Sequence, residues 1–451
     1  MSANAIYRSV VVLLWALASY NVLVCRGLFW DGAAFLVNLI DFRTFHDFYP
    51  PRAHVAYVTE LPVLLALDWG VSNTRTLAMI QSAGLFALPI GLYHLALHRL
   101  RADPALLSVG MVIVAVVYLP TSFLIIGEYN TAFAAVTAAM AIVLTTRGDR
   151  WGDGVLLVAL GALCLSSYEA TLYFGPLVAA AILWSQRRDR ESIEPIVTML
   201  RSVAAIAFLG SAVVAAVAMG HYWGHPHFVL VRAAAFDFWQ NLQFIVPLSG
   251  LGLFVAVSVL WPAWLRGWGP VVLIVVVSLL LVSTLWFREL RGPEAMLFPP
   301  SHYVARQVAG ALLGSALAGM WILVAWRRNP PVLLATLREA AVGRRLATAM
   351  LVLVIAAAVP DVALTRLWSQ YVDYVRGLVV GRSGHVWASD LPTRTWPYRL
   401  FSQEWTLPAL SSLVRDKPGD GVVLARRDYT MNRPFDPSCG TLPRLEGYGW
   451  R

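Results

Sequence analysis

Carboxylates and guanidinium groups recur in the polar intervals between the apolar runs of this chain. Asp31, Asp41, Asp47, Glu60, Glu128, Glu169, Asp237, Glu289 and Glu294 all fall at ends or loops on one side of an alternating count of those runs. Arg52, Arg232, Arg288, Arg291 and Arg306 share that side. A positioned carboxylate can take the proton from an attacking hydroxyl, general-base help worth about 10²–10⁴-fold. Arginines suit an anionic leaving group, because a guanidinium presents two parallel hydrogen bonds. One interface holding both describes a site for group transfer.

Asp31 is the first candidate base. It stands in Arg26-Gly27-Leu28-Phe29-Trp30-Asp31-Gly32, just past the first apolar run. At about 100° per helical residue, Asp31, Asn38 and Asp41 fall within an arc of roughly 80° and can face one cavity. Asp31 also fits a helix N-cap, with Trp30 as an interface anchor. Glu128 and Glu169 sit in Gly127-Glu128-Tyr129-Asn130 and Ser166-Ser167-Tyr168-Glu169, two very short turns on consecutive hairpins. Capping explains either one alone; their recurrence points to a shared pocket. Arg52 follows Tyr49-Pro50-Pro51 beside His46 and His54, and Arg306 closes a stretch that begins Ser301-His302. With the acids, Arg52, Arg232, Arg288, His302 and Arg306 form the candidate substrate-binding set. His221, His225 and His227 are spaced for a metal, but Pro226 interrupts them and no cysteine accompanies them, so no metal ligands are assigned. No glycine-rich phosphate loop, serine elbow or HExxH pattern is present.

The elements that must carry these groups are membrane helices. The chain is 58% hydrophobic and 14% charged, far from the roughly 25% charge of soluble domains. A span needs about 20 apolar residues, and such runs occur at 7–25, 76–97, 105–126, 130–146, 154–170, 170–184, 202–220, 242–261, 270–286, 306–326 and 346–366. About eleven transmembrane helices are therefore expected, in an all-α bundle over 1–366. Arginine clusters such as Arg187-Arg188, Arg327-Arg328 and Arg344-Arg345 lie on the side opposite the acids, as the positive-inside rule requires. The net charge of +9 thus reflects topology and not nucleic acid. This count puts the N-terminus in the cytoplasm and the C-terminus in the periplasm of a bacterial inner membrane. The first outer loop, 26–75, is too long for a simple connection and carries two helical stretches, 31–46 and 53–69, suited to the interface. Residues 367–451 form a small outer α/β cap, opening with a helical continuation of the last run that carries Trp368, Tyr371 and Tyr374, aromatics typical of an interfacial belt.

A first span, a long outer loop with two interfacial helices and an acid soon after that span resemble the GT-C superfamily of polytopic glycosyltransferases. The topology extends the resemblance over most of the chain, and residues 26–60 carry its motif. It implies a membrane enzyme that moves a sugar from a polyprenyl-phosphate carrier to a glycan, lipid or protein acceptor. It makes Asp31 the catalytic residue, with Asp41, Asp47 or Glu60 as substitutes. The paired acidic doublet common in that superfamily is absent, since Gly32 follows Asp31; a divalent metal is therefore left open. A transporter or lipid flippase is the main alternative. It is disfavoured because the span centres hold no Asp, Glu, Lys or Arg, where transporters place them. A non-catalytic envelope scaffold is the third.

Overall fold

The computed structural model describes residues 1–46, 52–122, 127–146, 150–189, 194–221, 223–224, 242–291, 302–327, 329–390, 401, 406–425 and 445–451, the side chains of 242–244, 284–291, 302–307 and 389 excepted. A helix forms at each predicted apolar run. In chain order the helices are α1 Ala3–Leu23, α2 Asp31–Phe42, α3 Ala53–Asp68, α4 Thr74–Leu100, α5 Pro104–Ser122, α6 Glu128–Thr145, α7 Trp151–Leu165 and α8 Thr171–Arg188. They continue with α9 Pro195–His221, α10 Leu242–Leu260, α11 Gly269–Arg291, α12 His302–Ala325, α13 Val332–Arg338, α14 Ala340–Val379 and the short α15 Leu407–Leu413. Among the described residues, α1, α4, α5, α6, α9, α12 and α14 are long and apolar enough to cross a membrane. The helix α7 and parts of α10 and α11 are apolar but shorter.

Local chemistry sets the ends of these helices. Ser2 accepts the Ala5 N–H, and Asn73 accepts those of Arg75 and Thr76. Asp103, followed by Pro104 at the first helical position, accepts those of Ala105 and Leu106. Each satisfies donors the helix itself leaves open. Within α5 a π-helical turn spans Ile113–Tyr118, just before Pro120. A proline lacks its N–H and crowds the carbonyl four residues back, and widening the turn relieves both.

Helix α6 is the central element: alanine-rich and buried along nearly its whole length, it packs against α4, α7 and α8. Small side chains let helices approach closely where lipid supplies no hydrophobic drive. The same device seats α3. A Cβ added at Gly84 of α4 would lie 2.4 Å from the Thr59 carbonyl oxygen. Gly84→Ala is therefore expected to push α3 outward and cost about 1–3 kcal/mol. Gly91→Ala, in the same helix with nothing within 4 Å of the new atom, should be neutral or slightly stabilising. Thermal melting of the two detergent-solubilised variants checks the contrast.

The C-terminal region corrects one expectation. The last apolar run continues without a break into α14, a helix of 40 residues. Trp368 and Tyr371 are buried, not laid on the bilayer surface as an aromatic belt: Phe29, Trp368 and Phe401 meet edge to face, and Tyr371 tilts against Phe401. Beyond α14, β1 His385–Trp387 pairs in parallel with β2 Val422–Leu424, with α15 between them in sequence. This unit is tied to the rest. Thr74 donates its N–H to Gly449 O (3.0 Å) and its hydroxyl to Leu413 O (2.7 Å), while Asn73 Nδ2 donates to Arg451 O (2.9 Å).

Candidate functional site

The first-loop helices and two hairpin turns meet at the end of the bundle where α4 begins. Arg52, immediately before α3, reaches Glu169 at 2.7 Å and Glu128 at 3.6 Å. Both its Nε and Nη2 donate to Glu169 Oε1, and its guanidinium lies over the Tyr168 ring, 5.5 Å from the centroid. The three side chains are 18%, 19% and 30% exposed, a partly buried charge network. Burial opposes the charge on Arg52, but Glu169 and Glu128 outweigh it and hold the guanidinium protonated. Gly127 permits this arrangement, since its φ of 149° is one that L side chains rarely adopt.

Beside this network lies a small cleft lined by Phe35, Val55, Thr59, Glu60, Gln81 and Glu128, among others. Glu60 is only 6% exposed and accepts the His46 N–H at 2.9 Å. Burial pushes its carboxyl up to about 7, with the His46 N–H pulling it down and neighbouring Glu128 adding to the rise. A carboxyl poised near neutral pH is what a general base requires. His46 is held in turn by Asn38, 3.2 Å away, and by the Phe35 ring.

The structure sorts the predicted site residues. Arg52, Glu128 and Glu169 come together, and Glu60 joins Glu128 in the cleft. Asp31 is half-buried and is the first residue of α2, with Trp30 standing where the N-cap belongs, so the expected capping role is not the one it takes. Asp31 lies one turn before Phe35 on the same helix face, yet does not line the cleft. Asp41, near the other end of α2, does not line it either. Arg232, Asp47, Asp237, Glu294, His225 and His227 lie outside the described residues, as do the side chains of Arg288, Glu289, Arg291, His302 and Arg306.

The turn that delivers Asp31 is over-determined. Gln81 Nε2 donates to the carbonyls of Gly27 (3.3 Å) and Gly32 (2.8 Å), and the Gly27 N–H donates to Ser82 Oγ at 2.9 Å. Trp30, between them, has φ 51° and ψ −129°, strain of about 1–3 kcal/mol of the kind functional sites hold.

Two charged residues that carried no weight in the sequence anchor this turn from below. Arg26 is fully buried, 4.8 Å from the Phe29 ring centroid, and interacts electrostatically with Asp361. Burial pulls its pKa down to about 9, with Asp361 opposing. Asp361 accepts from Ser122 Oγ at 3.1 Å and is hydrogen-bonded to Asn21, itself held by Thr365. Asp361 lies near the middle of α14 because that helix runs on past the predicted run 346–366, within which it stands near the end. The available signal was one acid inside Ala356-Ala357-Ala358-Val359-Pro360-Asp361; its place at the tail of the run hid it. Asp361→Ala is expected to strand the Arg26 charge and cost about 3–5 kcal/mol, while Arg26→Met with Asp361→Leu recovers most of it. Melting temperatures of the single and double variants test this.

Among the described residues no three His, Cys, Asp or Glu side chains converge as metal ligands. Of the carboxylates, Glu60 and Glu128 line the cleft, the second already facing Arg52. A scan against protein-family models finds no match, and searches of curated proteins and of solved structures find none either; the chemistry of Glu60, Arg52 and their neighbours is what speaks to function.

Proposed function

We propose that this chain is a GT-C-type membrane glycosyltransferase, transferring a sugar from a polyprenyl-phosphate carrier to an acceptor at the outer face of a bacterial cytoplasmic membrane. The observation that carries the reading is a buried carboxylate poised near pH 7 in a small cleft that shares Glu128 with a carboxylate–arginine network, assembled from the first loop and two hairpin turns. Glu60 takes the proton of the acceptor hydroxyl as that oxygen's lone pair forms the new bond to the anomeric carbon. The bond from that carbon to the phosphate oxygen breaks, and its electron pair leaves with the lipid phosphate. Arg52 stabilises the departing anion by loosening its longer contact, to Glu128. Asp31, on the strained turn above, contacts the acceptor or positions the sugar; Asp41 supports the same helix. In this reading the N-terminus is cytoplasmic, the C-terminus is periplasmic, and the helices beyond the seven long ones also reside in the bilayer.

The test is a comparison of lipid-linked sugars and surface glycans in cells with and without the gene, repeated with Arg52→Ala. Loss of one glycan together with accumulation of its lipid-linked donor is the expected result; identical profiles overturn the proposal. Sidedness is checked with Ala170→Cys in a chain whose native cysteines are replaced. An impermeant thiol reagent should label it in intact spheroplasts.

A transporter reading draws on one observation, the Arg26–Asp361 pair buried within the bundle, since intramembrane charges commonly mark ion or substrate paths. It predicts substrate flux in proteoliposomes that Asp361→Asn abolishes and Glu60→Gln leaves intact, the reverse of the enzyme's pattern.

A further inference from the structure

Around the cleft the polar side chains offer acceptors. Thr59 spends its hydroxyl hydrogen on Val55 O at 2.9 Å. Gln81 Nε2 is taken up by the carbonyls of Gly27 and Gly32, neither of which lines the cleft. Those two carbonyls settle which end of the amide is nitrogen, and the oxygen is left for the cleft. Among the described residues Gln81 Oε1 has no hydrogen-bond partner, although Gln81 is only 2% exposed. A buried acceptor of this kind normally finds a donor.

Glu128 is a second acceptor with capacity left. Arg52 gives Glu169 the hydrogen bonds of its Nε and Nη2 and meets Glu128 only at 3.6 Å, too far for a hydrogen bond. What complements these groups is a donor, and a carboxylate beside it favours one that is positively charged. A hydroxyl would bring its lone pairs to a wall of acceptors, whereas an ammonium has three hydrogens to give and no lone pair. Space sets the size of the group. The cleft leaves about 20 Å³ for the centre of a water-sized group, against the about 10–15 Å³ that one water needs. A single head enters; a sugar ring does not.

We propose that the cleft seats a primary ammonium group of the substrate, its hydrogens accepted by Gln81 Oε1 and Glu128, which makes Gln81 a specificity residue. The inference rests on the transfer reading in one respect: the amine belongs to a molecule whose neighbouring hydroxyl meets Glu60. Hydrogen bonds from an ammonium to a carboxylate are charge-assisted and among the stronger polar contacts. An amino sugar and an ethanolamine lipid headgroup both present this chemistry.

The purified full chain in neutral detergent is titrated with glucosamine and with lysophosphatidylethanolamine, each beside a counterpart without N–H donors, glucose and lysophosphatidylcholine. Binding is followed by melting temperature and, for the lipids, by native mass spectrometry. One amine should bind and raise the melting temperature where its counterpart does not, and the arm that does so names the source. Glu128→Gln should weaken that binding roughly tenfold, about one charge-assisted hydrogen bond, and Gln81→Met should do likewise. Glu128→Gln leaves the Gln81 bonds to the α2 turn in place, so the measurement stands if Gln81→Met fails to fold. Equal binding of amine and counterpart, no binding of either amine, or undiminished affinity in Glu128→Gln overturns the seat. Displacement of the amine by a lower concentration of magnesium ion overturns it too. Amine binding by a chain whose loss leaves every glycan unchanged upholds the seat and removes the transferase; sugar transfer to an amine-free acceptor, with no amine bound, does the reverse.

Discussion

Glu60→Gln is expected to lower sugar transfer by about 10²–10⁴-fold while making the protein more stable above pH 7. The amide keeps an oxygen to accept the His46 N–H but cannot take a proton from the acceptor. The stability sign follows from burial. In the folded chain the Glu60 carboxyl titrates near 7, against an ordinary value of 4.5. Below pH 4.5 both folded and unfolded chains hold the proton, and the group carries no penalty. Between 4.5 and 7 the unfolded chain releases the proton while the folded one keeps it, so stability falls as pH rises, by about 3 kcal/mol at most. Glutamine removes that fall. Activity of the parent should climb with pH through about 7 as the base deprotonates, and the residual activity of Glu60→Gln should not. Melting curves at pH 5 and 8 with a transfer assay across the same range decide the matter. A stable Glu60→Gln enzyme with full activity returns the base role to Asp31, for which Asp31→Asn is the matched variant.

Arg52→Met should lose both activity and stability. The substitution preserves bulk but leaves Glu169 and Glu128 facing each other's neighbourhood without a cation, a loss of about 2–4 kcal/mol given their partial exposure. Adding Glu169→Gln should restore part of the stability and none of the transfer, because the leaving phosphate still has no guanidinium. Arg52→Lys falls between, as an ammonium cannot reproduce the paired donation to Glu169. A double-mutant cycle on melting free energies, beside transfer rates, separates the two roles. Recovery of activity along with stability in the Arg52→Met/Glu169→Gln chain would mean that Arg52 is only a strut.

Much of this was legible from residue types alone. Apolar runs of sufficient length announced the helices, and short turns bearing Glu128 and Glu169 on successive hairpins announced that two acids would lie close. What the sequence withheld was the third dimension around Arg52, whose two carboxylate partners are 76 and 117 positions away. Glu60 was ranked below Asp31 because nearness to the first apolar run is visible in a string and burial is not. Glu60 owes its poise to α3 lying against Gly84, a contact that depends on the absence of a Cβ and leaves no charge or periodicity to notice. Arg26 and Asp361, 335 residues apart, each stand beside the end of an apolar run, and nothing in a string of residues shows that they face each other.

The length of α14 has a mechanical consequence. Forty residues make a rod of about 60 Å, twice the hydrocarbon thickness of about 30 Å. Its C-terminal half carries Trp368 and Tyr371, with Phe29 packed against Trp368, so in the proposed topology the height of the cleft follows how deep the rod sits. Membranes of different acyl length would tilt or draw it down and, in the proposed reaction, move Glu60 relative to the carrier's headgroup. Turnover in vesicles of graded lipid chain length should therefore pass through an optimum.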